Sequence, residues 1–273
     1  MEIPHIPADF IENLPLAKRL ALQGMRSIAP AVRRAFGEPA PLFVLGHVRS
    51  GSTLLVHLLV DNKAIDGFGE TWIRYLSTSD ISKQLIPAVA LQSRTFPLRG
   101  KYVLDKVLHW FLLNSQLLKQ VKCKVIFIMR APDQTLKSIR VGQGRLGYVT
   151  THGMESALDY YERQTSYLSD CAESLSGANR SILIDYDRLV SESANVLAKL
   201  SEFLELDVPL ATTYRKQRFT GKIGMGDFSK NISLGRIVNT KDHDVCIPAP
   251  AYEKANACYA ACIATLKKHC ADA

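Results

Sequence analysis

The segment FVLGHVRSGSTLL (43–55) constrains this chain more than any other stretch. An apolar run ends in Gly46, a second glycine follows at Gly51, and helix-compatible residues continue from there. A buried strand that turns on glycine and returns as a helix brings successive backbone N–H groups to one point. The helix N-terminus adds its partial positive charge, and together they form a seat for an anion. The glycine spacing is that of the phosphate loop GxxxxGK[ST], and Ser50, Ser52 and Thr53 add hydroxyl donors. One departure matters. The lysine of that pattern is Ser52 here, and the cation has moved into the loop as Arg49. Nucleoside triphosphatases place the lysine on the β- and γ-phosphates and hold Mg²⁺ with the next hydroxyl residue, so the altered loop argues against a kinase or NTPase without excluding one.

The rest of the chain repeats the strand-then-helix rhythm. Apolar runs at 41–46, 64–70, 102–105, 124–129 and 181–184 read as strands, KVIFIM (124–129) being the clearest because it is β-branched and aromatic. Helical stretches are expected at 51–60, 71–93, 109–120, after Pro132, and at 154–175, 192–205 and 251–268. This alternation predicts an α/β fold, a P-loop-type central parallel sheet flanked by helices. Residues 41–273 read as a single domain. Residues 1–40 read as an N-terminal helical extension packed on it, since Leu16, Leu20, Met25, Ile28 and Val32 recur at roughly helical spacing among basic residues. A membrane surface is the other partner such a basic stripe suits.

Apolar residues make up 47% of the chain and charged residues 22%, enough for a sizeable core. No apolar run is long enough for a membrane span, and no signal peptide is evident, so a cytoplasmic protein is expected. The net charge of +8 suits an anionic ligand. Lysine and arginine are spread along the sequence instead of clustered, so no nucleic-acid partner is expected. The six cysteines form no CxxC pair and have no histidines at ligand spacing, which predicts reduced thiols and no metal site. Nothing in the sequence sets an oligomeric state.

A second anchor lies in KVIFIMRAPDQTLKSIR (124–140), where Arg130 ends a strand and Ser138 falls two turns into the next helix. An arginine in that position suits bidentate recognition of a phosphate. Together the two segments resemble the sulfotransferases that use 3′-phosphoadenosine 5′-phosphosulfate (PAPS). GHVRSGSTLL (46–55) is similar to their phosphosulfate loop, and Arg130, Pro132 and Ser138 match the spacing of their 3′-phosphate motif. ILIDYDRLVSE (182–192) and AKLSEFLELD (198–207) resemble the strand and helix that close the nucleotide site. The likeness spans roughly 42–237. Arginine in the first loop and the absence of an Arg-Lys-Gly tail place it nearer the carbohydrate, tyrosyl-protein and bacterial branches than the cytosolic one.

The resemblance implies a sulfotransferase-like fold, with PAPS as donor, PAP as product and no required metal. It implies that Arg49, Ser50, Gly51, Ser52 and Thr53 hold the 5′-phosphosulfate, that Arg130 and Ser138 hold the 3′-phosphate, and that Tyr186 lies near the adenine. Ser229 and Lys230, on a late loop, are further phosphate contacts. Glu70, in GFGETWIRYL (67–76), resembles the general base of the tyrosyl-protein branch. Each candidate also has a simpler reading, and for Glu70 it is a helix N-terminal carboxylate. Lys106, with Arg49, is the cation expected on the sulfuryl or leaving oxygen, and a plain surface lysine is its alternative. His109 is the alternative base, or else a packed histidine beside Trp110 and Phe111. His47 either faces the acceptor or fills space. The glycine-rich 142–153 segment reads as part of an acceptor lid. The acceptor itself is expected to be a small molecule, a natural product or a sugar, bearing a hydroxyl or amine. A nucleotide-binding protein without catalysis is the remaining alternative.

Overall fold

The five apolar runs become strands because each is sealed on both faces. In this computed structural model, which describes residues 39–85, 100–141, 153–175, 177, 179–217, 230–238 and 245–273, β1 (Ala40–Gly46), β2 (Ile65–Gly69), β3 (Tyr102–Val107), β4 (Lys124–Met129) and β5 (Ser181–Asp185) are joined by a two-residue β6 (Ala271–Asp272). The sheet runs β2-β3-β1-β4-β5-β6, and every pair is parallel. Successive side chains of a strand point to opposite faces. Accordingly Leu42 and Val44 enter one core cluster with α1 (Ser52–Val60), and Phe43 and Leu45 enter another on the opposite face. The short α2 (Leu117–Gln120) and the long α4 (Gly153–Leu175) contribute to that second cluster. Between them in sequence runs α3 (Pro132–Val141), with proline at its first position, where a missing N–H costs nothing.

After β5 the chain turns directly into α5 (Tyr186–Ser191), then α6 (Ser193–Phe203), which seals the first face. The last helix, α7 (Ala249–His269), packs Cys262 and Leu266 into the second cluster. The crossover leaving β1 goes to the β2 side of the sheet, and the one leaving β4 goes to the β5 side. Between β1 and β4 the connections therefore diverge, and in open parallel sheets ligands bind at that crevice, beyond the strand carboxyl ends.

Two expected helices start later than the sequence pattern predicts. Within 71–85 the chain is irregular until a 3₁₀ helix, Thr78–Gln84, opened by a capping box at Ser77, and α-helix begins only at Leu85; residues 86–93 lie outside the described residues. Within 109–120, only α2 is helical. One long-range contact occupies the start of both. Tyr75 bridges to Leu113 in parallel, its N–H donating to Leu112 O (2.6 Å) and its carbonyl accepting from Asn114 N (3.0 Å). Backbone groups spent on this bridge are withdrawn from helical bonds, so tertiary pairing overrides local propensity. The sequence also gave no sign of β6, which is too short to carry a pattern, or of the immediate start of α5. There Asp185 accepts from Asp187 N (2.8 Å) and Arg188 N (3.0 Å), a helix N-cap. The expected N-terminal extension lies outside the described residues, except for its last two positions. No described helix is long and apolar enough to cross a membrane.

Candidate functional site

The loop from β1 to α1 is shaped by close approach. A side chain on Gly46 would meet Ile128 O at 2.7 Å, so β1 and β4 nearly touch there. Arg49 and Gly51 both adopt positive φ, 68° and 87°, and a Cβ on Gly51 would lie 2.1 Å from the Tyr186 ring. Glycine is the residue that permits both the dihedral and the contact. The loop is then tied down by two side chains of α4. Gln164 Nε2 donates to Gly46 O (2.7 Å), the Tyr160 hydroxyl accepts from Val48 N (2.9 Å), and the same hydroxyl donates to Leu108 O (2.6 Å). Tyr160 and Gln164 stand one turn apart on α4, and only that spacing in the sequence hinted that they act together.

His47 is fully buried within this framework. Its Nδ1 lies 3.0 Å from Val48 O and its Nε2 accepts from Arg130 N at 3.3 Å, which assigns the proton to Nδ1. Burial holds it neutral, with its pKa lowered to about 4. The ring links the ends of β1 and β4, so the space-filling alternative describes it.

The two anion motifs meet. Arg49 Nε donates to Ser138 Oγ at 2.8 Å across 89 residues of sequence, and Arg130 Nη1 lies 3.5 Å from Arg49 O. The Arg130 guanidinium stacks over the Tyr186 ring, 4.4 Å from its centroid, and Tyr186 in turn covers Gly51. Among the buried polar atoms without a partner at this place are Ser50 Oγ and Arg130 Nε. Native proteins seldom leave such atoms unsatisfied. A donor-rich pocket with unsatisfied hydroxyl and guanidinium atoms fits a ligand carrying two anionic groups.

Beside it lies a charged pair. Lys106 stands opposite Val44 in the sheet register, almost wholly buried, with Nζ 3.2 Å from Glu70 Oε2 and 3.4 Å from Thr53 Oγ1. Glu70 leaves the carboxyl end of β2 and has a nearly buried side chain. His109 is stacked between Trp72 (5.0 Å between centroids) and Phe111 (5.2 Å), edge-on to Tyr160. Burial lowers its pKa to about 4, with Glu70 opposing that shift and Lys106 adding to it, so His109 sits in the field of the same pair. The structure thus brings Arg49, Ser50, Gly51, Ser52, Thr53, Arg130, Ser138 and Tyr186 to one crevice, with Glu70, Lys106 and His109 next to it. Ser229 lies outside the described residues, as do the Lys230 side chain and all of the expected 142–153 lid except Gly153, which begins α4. Asp105 has a single signal in the sequence, a carboxylate inside the buried strand YVLDKV.

No family model matches the sequence, and no curated protein matches it. Solved structures do. The mouse sulfotransferase SULT7A1 complexed with PAP is 16% identical, with a TM-score of 0.43 over 67% of this chain; the match spans 64% of that protein's length. The sulfotransferase domain from the curacin biosynthetic pathway is also 16% identical, with a TM-score of 0.50 over 82% of this chain and 97% of that one. At this identity the second likeness speaks to the fold, and by it the chain has the architecture of a sulfotransferase domain.

Proposed function

We propose that this protein is a PAPS-dependent sulfotransferase acting on a hydroxyl or amine of a small-molecule acceptor. The observation that carries the reading is the meeting of Arg49 and Ser138, which joins two anion motifs remote in sequence beside the unsatisfied Ser50 and Arg130 atoms. Bound PAPS would supply a sulfuryl group attached to a good leaving group, a phosphate. The chain's own residues have three tasks. Arg49 to Thr53 hold the 5′ end with backbone N–H groups, hydroxyls and one guanidinium. Arg130 and Ser138 hold the 3′-phosphate, and Tyr186, lying between the anchors, offers a face near the base. Ser229 and Lys230 are assigned a supporting role on the late loop.

Glu70 is assigned as the general base that takes the acceptor's proton onto a carboxylate oxygen as the new bond to sulfur forms. Lys106 reaches both Glu70 and the loop residue Thr53, so its charge is placed to favour negative charge growing on the leaving oxygen. His109 is less suited to proton transfer, because stacking on both faces and burial keep its ring neutral and enclosed. The metal-binding aspartate that a nucleoside triphosphatase would need has no candidate in Asp185, whose carboxylate caps α5.

Thermal denaturation tests the reading. Adenosine 3′,5′-bisphosphate without metal should raise Tm, since a ligand that binds only the native state stabilises it. Stabilisation by ATP with Mg²⁺, and none by the bisphosphate, would favour the triphosphatase. Incubation with PAPS and a diverse acceptor panel, read as mass gain of one sulfo group, then tests transfer.

A further inference from the structure

The residue next to Lys106 also grips the residue next to Glu70. Neighbours on a strand face opposite sides of the sheet, so Asp105 points away from Lys106, into the core side that holds Tyr75. It is 1% exposed. Its Oδ1 accepts from Thr71 N (3.1 Å), and its Oδ2 accepts from Thr71 Oγ1 (2.5 Å) and from the Tyr75 hydroxyl (2.6 Å). Meanwhile Lys106 Nζ holds Glu70 from the other face.

The segment held this way needs it. Residues 70–74 form no regular secondary structure, the β2–β3 register shifts between Gly67 and Gly69, and φ is 105° at Gly69 and 59° at Trp72. A non-glycine residue in that region is strained and persists only where its surroundings dictate it. The sheet ladder ends at the Gly69–Asp105 pairing, so beyond it the Asp105 carboxylate replaces the ladder and satisfies the Thr71 N–H.

We propose that Asp105 is the positioning residue for Glu70: it fixes the backbone at Thr71 so that the adjacent Glu70 carboxylate is delivered to Lys106 at the mouth of the donor crevice. This rests on the reading of Glu70 as base, and it acts through the backbone, without contact to either substrate.

A double-mutant cycle tests it, using the best acceptor of the panel. Asp105→Ala should lower kcat about tenfold or more while the Kd for adenosine 3′,5′-bisphosphate stays within about twofold, as expected when a group acts on the chemical step alone. Asp105→Asn, which keeps an acceptor for Thr71 N, should restore most of the rate. In the Glu70→Gln background, Asp105→Ala should cause no further loss. A full further loss there would make Asp105 a general structural element and overturn the proposal while leaving the base assignment intact. A Glu70→Gln protein with unchanged kcat would instead sink the base assignment, and the positioning role with it. A readout independent of turnover is hydrogen exchange of the ligand-free protein. Asp105→Ala, and Thr71→Val should the alanine variant not fold, should speed exchange of the 69–75 peptide by about tenfold or more and leave 46–55 unchanged. Unchanged exchange of 69–75 overturns the proposal even if no acceptor is turned over.

Discussion

The two sides of the candidate site are built on different principles. The donor side, between β1 and β4, is made of backbone: a glycine turn, a helix N-terminus, and strands so close that Gly46 has no room for a side chain. Its charged groups are arginines, held by hydrogen bonds from short motifs. The β2–β3 side is made of side chains, Glu70 against Lys106 and Asp105 against Thr71 and Tyr75, joined across some thirty residues of chain. One side is assigned the ligand, and the other is assigned the chemistry. Damage to each should therefore be read in a different constant.

The sharpest way to break that division is to exchange the readouts. Glu70→Gln should cut kcat about a hundredfold or more with donor affinity nearly intact. Arg130→Ala should do the reverse. Losing charge-assisted bonds to a phosphate costs about 3 kcal/mol, or roughly a hundredfold in the Kd for adenosine 3′,5′-bisphosphate by calorimetry, with kcat at saturating donor largely kept. If both variants weaken binding equally, the two sides are one unit.

Besides the Lys106–Thr53 contact, the sides touch at Tyr160, because one hydroxyl serves Val48 in the donor loop and Leu108 after β3. Tyr160→Phe leaves a buried N–H and a carbonyl unpaired, and should lower stability by about 1–3 kcal/mol in urea unfolding. It should also degrade kcat and donor Kd together, unlike either variant above.

The smallest expected effect is on pH, where two buried histidines, one on each side, oppose Asp105. Burial lowers His47 and His109 to about 4 from the usual 6.5. Between those values the unfolded chain takes up two protons that the native state refuses, so stability falls on acidification. Burial raises Asp105 to about 7, against the pull of its bonds from Thr71 and Tyr75. Its native state keeps a proton that the unfolded chain releases, so its contribution is present at low pH and lost as pH rises toward 7. At pH 5–6 the difference is one proton in favour of the unfolded chain, and these groups should cost about 1.4 kcal/mol of stability per unit of acidification. In Asp105→Asn that slope should roughly double, which urea unfolding at pH 5 and pH 6 would resolve.

The same contrast explains what the sequence made legible. Strand β4 and the donor loop announce themselves, because KVIFIM and the spaced glycines satisfy their requirements locally. Arg130 and Ser138 could be picked out because their spacing of eight residues resembles the sulfotransferase 3′-phosphate motif. Asp105 could not, since its partners are a backbone N–H and two hydroxyls thirty or more positions away. Nor could the irregular course of 70–77, where the Tyr75–Leu113 bridge overrides helix-compatible residues in two segments at once. Local chemistry can be read from a string of residues; a contact that depends on the finished sheet cannot.

A crystal structure of the protein with adenosine 3′,5′-bisphosphate goes most directly to the centre of this account. It should show the 5′-phosphate on the N–H groups of 48–53 and the 3′-phosphate on Arg130 and Ser138, with Tyr186 alongside. A nucleotide bound elsewhere, or with its 3′-phosphate turned away from Arg130, would contradict it.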